Sequence, residues 1–167
     1  MLNLTVTTMS TIVIGIGNLL MGDEGVGVHI AQKLEKSAIL PETVDILDGG
    51  TGGFHLLGYF QNYDHVILID ATADGKPPGT ISVLEPKFSS DYPVTLTAHD
   101  IGLKDLIDAL YLLDREPHIT LFTVTIDDLT QTSISLSPAV QSAVDPTITR
   151  IMEYLSSARK LEPTSGN

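Results

Sequence analysis

Asp23 and Glu24 stand in the glycine-rich run GIGNLLMGDEGVG at 15–27, and their charge limits what that run can bind. Gly17 and Gly22 have the glycine spacing of a phosphate-cradling loop, but two acids replace the lysine and hydroxyl residue that such a loop needs. Carboxylates at that place repel a phosphate and favour a cation. A dinucleotide fingerprint fails too. It requires a glycine three residues after Gly17 for close helix–strand contact, and that position is Leu20. The plain alternative is a strand-to-helix turn whose acids favour the helix N-terminus, closed by the Asn18 amide.

Three further places carry groups of the same kind. In DGGTGG at 48–53, Asp-Gly is an ordinary turn signal and Thr51 suits a helix cap. Four glycines in five residues exceed what one turn needs, and they let another chain approach the backbone. Gly49, Gly50 and Thr51 are therefore candidate substrate contacts beside Asp48. Asp70 ends the apolar run VILID, where a carboxylate is costly unless a cation or hydrogen bonds compensate. Asp74 lies further into the loop and is expected to be solvated. Among the histidines, His29, His55, His65 and His118 read as structural or solvated. His99 differs, because it stands in TAHD just before a helix, after a loop able to return to the same site. HExxH and GxSxG motifs are absent and cysteine is absent altogether, so hydrolysis would need paired carboxylates or a metal on oxygen and imidazole ligands.

Alternating strands and helices position these residues. TIVIGIG at 11–17 reads as a strand, and Val26, Ile30 and Leu34 give 26–36 a helical stripe. Strands are expected at 43–48, 66–70, 80–85 and 119–126, with a short helix around Phe54, Leu57 and Tyr59. Asp100 would cap a helix whose apolar positions are Leu103, Ile107, Leu110 and Leu113. Pro138 opens a final helix striped by Val140, Val144, Ile148, Ile151 and Leu155. The pattern predicts a single doubly wound α/β domain over 1–167, with about five mostly parallel strands sandwiched by helices and flexible tails at 1–9 and 162–167. Such sheets collect ligands at the carboxyl ends of their strands, where Glu24, Asp48, Asp70 and His99 all map.

Composition narrows the partners. The 167 residues carry a net charge of −12, with 43% hydrophobic and only 5% aromatic residues. That surface disfavours nucleic acid and anionic lipid, and suits a cation or a partner with a basic segment. Neither a secretory leader nor a stretch long enough to span a bilayer is read in the sequence, so a soluble, cytoplasmic monomer is expected.

Taken in order, GNLLMGDEGVG, DGGT, VILIDA, TAHDIGLKDLI and LSPAV resemble the boxes of the hydrogenase maturation peptidases, over about residues 11–157. TVTIDDLTQT before LSPAV departs from the glycine- and proline-containing segment usual there, which bears on substrate-loop details. The resemblance implies a five-stranded sheet flanked by helices. It also implies an endopeptidase that trims the C-terminal extension of a [NiFe]-hydrogenase large-subunit precursor after nickel insertion. The family's metal-binding residues fall on Glu24, Asp70 and His99, and its glycine-box acid on Asp48. Nickel would arrive inside the substrate, although such a mixed nitrogen and oxygen set equally accepts zinc, manganese or cadmium. Asp48 or a metal-activated water would then attack the scissile bond. A nickel carrier or metal-binding assembly module that never cuts is the alternative.

Overall fold

The computed structural model describes residues 9–87, 89–93, 101–112, 116–127 and 132–160. Five strands form one sheet: β1 (Thr11–Gly15), β2 (Val44–Asp48), β3 (His65–Thr72), β4 (Ile81–Leu84) and β5 (His118–Thr125). Their order is β2-β1-β3-β5-β4, parallel throughout except for β4, which runs antiparallel to β5. The central strands are apolar on both faces, as a sheet covered by helices on both sides requires.

Side chains alternate between two cores. Val13, Ile67, Ile69, Phe122 and Val124 face helices α1 (Val26–Ser37) and α4 (Pro138–Lys160). Ile12, Ile14, Val66, Leu68 and Leu121 face α2 (Leu57–Asn62) and α3 (Ile101–Tyr111). The expected stripes account for this packing: Val26, Ile30 and Leu34 of α1 and all five apolar positions of α4 are buried. Ile107 and Leu110 of α3 are buried too, whereas Leu113 and the capping Asp100 lie outside the described residues. So do 1–8 and 161–167, which hold nearly all of both expected tails. Among the described residues, no helix is long and apolar enough to cross a membrane.

Two expectations need correction. Thr51 caps no helix: the 3-10 turn Phe54–Leu56 that leads into α2 has Gly53 at its N-cap and no side-chain cap. His65 is not solvated but 4% exposed, as the first residue of β3. Its Nε2 lies 2.9 Å from Thr120 Oγ1, which in turn sits 2.8 Å from the Tyr154 hydroxyl. Parallel pairing of β3 with β5 sets His65 against His118, so this burial is a product of register.

The strand order also locates a crevice. β1 is linked through α1 to β2 on one side, while β3 leads on to β4 and β5 on the other. The carboxyl ends of β1 and β3 therefore flank the topological switch point, the place where doubly wound sheets bind ligands.

Candidate functional site

β1 and β3 stop pairing at Gly15 and Ile69, which makes Asp70 the first residue of β3 beyond the end of β1. The strand runs on to Thr72, so Asp70 lies inside it instead of closing it as expected. Asp70 is 1% exposed, and its Oδ1 accepts the Ala71 amide at 2.7 Å. Glu24, 3% exposed, sits on the 3-10 turn Gly22–Gly25, which packs against β3. Two buried carboxylates from separate segments thus share the mouth of the β1/β3 crevice.

Close backbone contact makes this possible. A Cβ on Gly27 would lie 2.2 Å from the carbonyl oxygens of Ile16 and Ile69, and one on Gly15 would lie 2.1 Å from Gly27 O. Glycines at 15 and 27 supply the tight helix–strand approach that the run of residues after Gly17 did not promise. Asn18 does close the turn, its Oδ1 accepting the Leu20 amide at 3.0 Å.

The glycine box is stitched to the same loop. Gly49 N donates to Gly15 O and Gly17 N to Gly50 O, each at 2.8 Å, while Ile16 N donates to Ile69 O at 2.8 Å. Gly50, Gly52 and Gly53 take φ values of 55°, 77° and 107°, which explains why this turn uses so many glycines. Asp48 is exposed. Its Oδ1 accepts the Gly50 amide at 2.9 Å and its Oδ2 the Gln32 side-chain amide at 3.0 Å.

The structure therefore brings Glu24, Asp70 and the box Asp48–Thr51 to one edge. His99 lies outside the described residues, and no group of three metal-ligating side chains is found among those that are described. Asp74 is exposed as expected, though Lys76 and Thr125 hold it, and Lys76 pulls its carboxyl below the ordinary range despite the opposing effect of burial. Sequence reasoning missed Ser133 and Ser137. They belong to the segment before α4, which closes on the first loop and lines a groove of about 630 Å³ together with Asp23, Pro78 and Asp127. Ser137 was marked by the LSPAV box and its Ser-Pro step, a signal that does not extend to Ser133.

Comparison with known proteins finds relatives that cover most of the chain. The family model for hydrogenase maturation proteases matches residues 28–154. The hydrogenase 2 maturation protease of Escherichia coli is 35% identical over 149 residues, covering 88% of this chain and 91% of that one. The hydrogenase expression/formation protein HupD of Bradyrhizobium diazoefficiens is 33% identical over 150 residues, covering 87% of this chain and 77% of its own. The solved structure of the hydrogenase maturating endopeptidase HybD from E. coli superposes with a TM-score of 0.80 at 35% identity, over 90% of this chain and 94% of that one. The chain belongs to the hydrogenase maturation protease family.

Proposed function

We propose that this chain is an endopeptidase that removes the C-terminal extension of a [NiFe]-hydrogenase large-subunit precursor, and that Glu24, Asp70 and His99 read the nickel already inserted in it. The observation that carries the reading is the pair of buried carboxylates at the mouth of the β1/β3 crevice, in a chain of this family. Their chemistry fits: two carboxylates and one imidazole are donors that nickel accepts, as do zinc, manganese and cadmium. Three protein donors also leave positions for ligands from the partner. The metal is part of the substrate, so a precursor that lacks it offers Glu24, Asp70 and His99 nothing to hold. In this reading the enzyme acts as a monomer in the cytoplasm.

Gly49, Gly50 and Thr51 would lie along the precursor's chain, and Asp48 would take a proton from the attacking water. A second reading of Asp48 follows from its contacts. Both oxygens accept hydrogen bonds within the chain, which suits a residue that only shapes the turn. The cutting itself is tested by mixing purified protein with nickel-loaded precursor and following the precursor's mass. Loss of a C-terminal peptide supports the endopeptidase, and an unchanged mass with nickel exchanged between the partners supports the carrier.

A further inference from the structure

The two acids of the first loop have different surroundings. Glu24 is buried on the 3-10 turn, whereas Asp23 is only partly buried. Asp23 Oδ1 accepts the Ser137 amide at 2.6 Å, across 114 residues of sequence. Ser137 immediately precedes the first residue of α4. Beside this bond, Gly22 N donates to Ser133 O at 2.5 Å and Ser133 N to Leu20 O at 3.2 Å, which pairs Met21 with Ser133 as a short parallel bridge.

The turn that carries Glu24 is thus held from two sides. A Cβ on Gly17 would lie 2.1 Å from Glu24 O, so the exit from β1 presses on one side of the turn. The 133–137 segment is hooked to it by the other bonds, and the same segment forms a wall of the groove beside Pro78 and Asp127. A hydrogen bond to a charged carboxylate is roughly twice as strong as a neutral one. Of the three bonds in this latch, the Asp23 one therefore contributes most per contact.

We propose that Asp23 is a positioning residue: its carboxylate latches the 133–137 segment onto the first loop, and so fixes both the Glu24 turn and the adjoining groove wall for the precursor. The second half of this statement rests on the function proposed above. Because Glu24 acts there in recognition, losing the latch should weaken precursor binding and leave the chemical step intact.

The test uses the full chain, its Asp23→Ala and Asp23→Asn variants, and nickel-loaded precursor. Amide hydrogen exchange should speed up at Gly22 and Ser133 in Asp23→Ala while the amides of β3 keep their protection. KM for the precursor should rise about 10–100-fold, the range typical of lost support behind a ligand, with kcat within about twofold of wild type. Asp23→Asn keeps an acceptor oxygen and should retain most of the protection and most of the affinity. If Asp23→Ala does not fold, Asp23→Ser replaces it under the same expectations. If wild type captures the precursor without cutting it, the processing reading fails and the same loss is read in Kd instead. Unchanged exchange overturns the latch, and faster exchange with unchanged KM or Kd overturns the positioning role. Asparagine as damaging as alanine would overturn the hydrogen-bond latch, since an acceptor oxygen in the same place would then not hold the segment.

Discussion

At the amino end of the sheet, His65 is buried against Thr120 and the ring of His118, and the Tyr154 hydroxyl donates onward to Glu85 at 3.1 Å. At the carboxyl end, Glu24 and Asp70 are as deeply buried but come from a glycine-held turn and from a strand that outruns its neighbour. Each end also has a groove, about 540 Å³ beside His118 and about 630 Å³ beside Asp23. Burial of an ionisable group and the size of a groove therefore do not separate the two ends. What separates them is topology and bonding: one cluster is a chain of side chains linked across regular strands and α4, the other gathers acids at the switch point from a turn and from a strand that outlasts its neighbour, joined by backbone contacts. The amino end has the build of a packing solution, and the carboxyl end that of a site.

The largest effects should follow damage to the carboxyl end. Glu24→Ala, Asp70→Ala and His99→Ala should each reduce processing by more than about 100-fold, since even support behind a ligand is worth about 10–100-fold. Each variant should stay folded by circular dichroism. Normal processing by all three would remove the distinction between the ends. Asp48→Asn comes next and divides the two readings of that residue. A general base should lose about 10²–10⁴-fold in cleavage with capture of the precursor retained, whereas a turn residue should stay near wild type.

Smaller effects, on stability alone, are expected at the amino end. Thr120→Val keeps the shape but leaves His65 Nε2 without its partner in a buried place, at a cost of about 1–3 kcal/mol in denaturant unfolding. Processing at permissive temperature should not change, and a loss of activity without a loss of stability would move function to this end. The pH response is subtler. Burial, helped by His118 and opposed by Glu85, lowers the His65 pKa to about 4. The folded state thus holds the ring neutral, while the unfolded chain protonates it near its ordinary value of 6.5. Its contribution is present in full above that value and is lost as pH falls from 6.5 towards 4. Tm should therefore drop more between pH 7 and pH 5 in wild type than in His65→Asn, and equal drops would show that His65 is not the group responsible.

Much of this architecture was legible in the chain because local patterns and tertiary packing agree. Pro138 begins α4 as expected, and the stripe from Val140 to Leu155 is the face that it buries. The clustering of Glu24, Asp48 and Asp70 followed from placing each near the carboxyl end of β1, β2 or β3, although β3 runs on two residues past Asp70. What stayed hidden depends on contacts distant in sequence. His65 looked like a turn residue because its burial comes from pairing with a strand more than fifty positions away. Asp23 read only as a further negative charge in a loop that favours a cation, because its partner, Ser137, is brought beside it only by the closed fold. The need for glycine at 50, 52 and 53 was half visible: the composition marked a special turn, and the positive φ values supply its reason.

The central claim is that the acidic mouth of the β1/β3 crevice reads a metal carried by the substrate. Its most direct test presents wild-type enzyme with one precursor in two forms, nickel-loaded and metal-free, under the same conditions, and follows the shortened product over time. The account predicts that only the nickel-loaded form is cut, and that Glu24→Ala cuts neither. Equal cleavage of both forms by the wild type would contradict it.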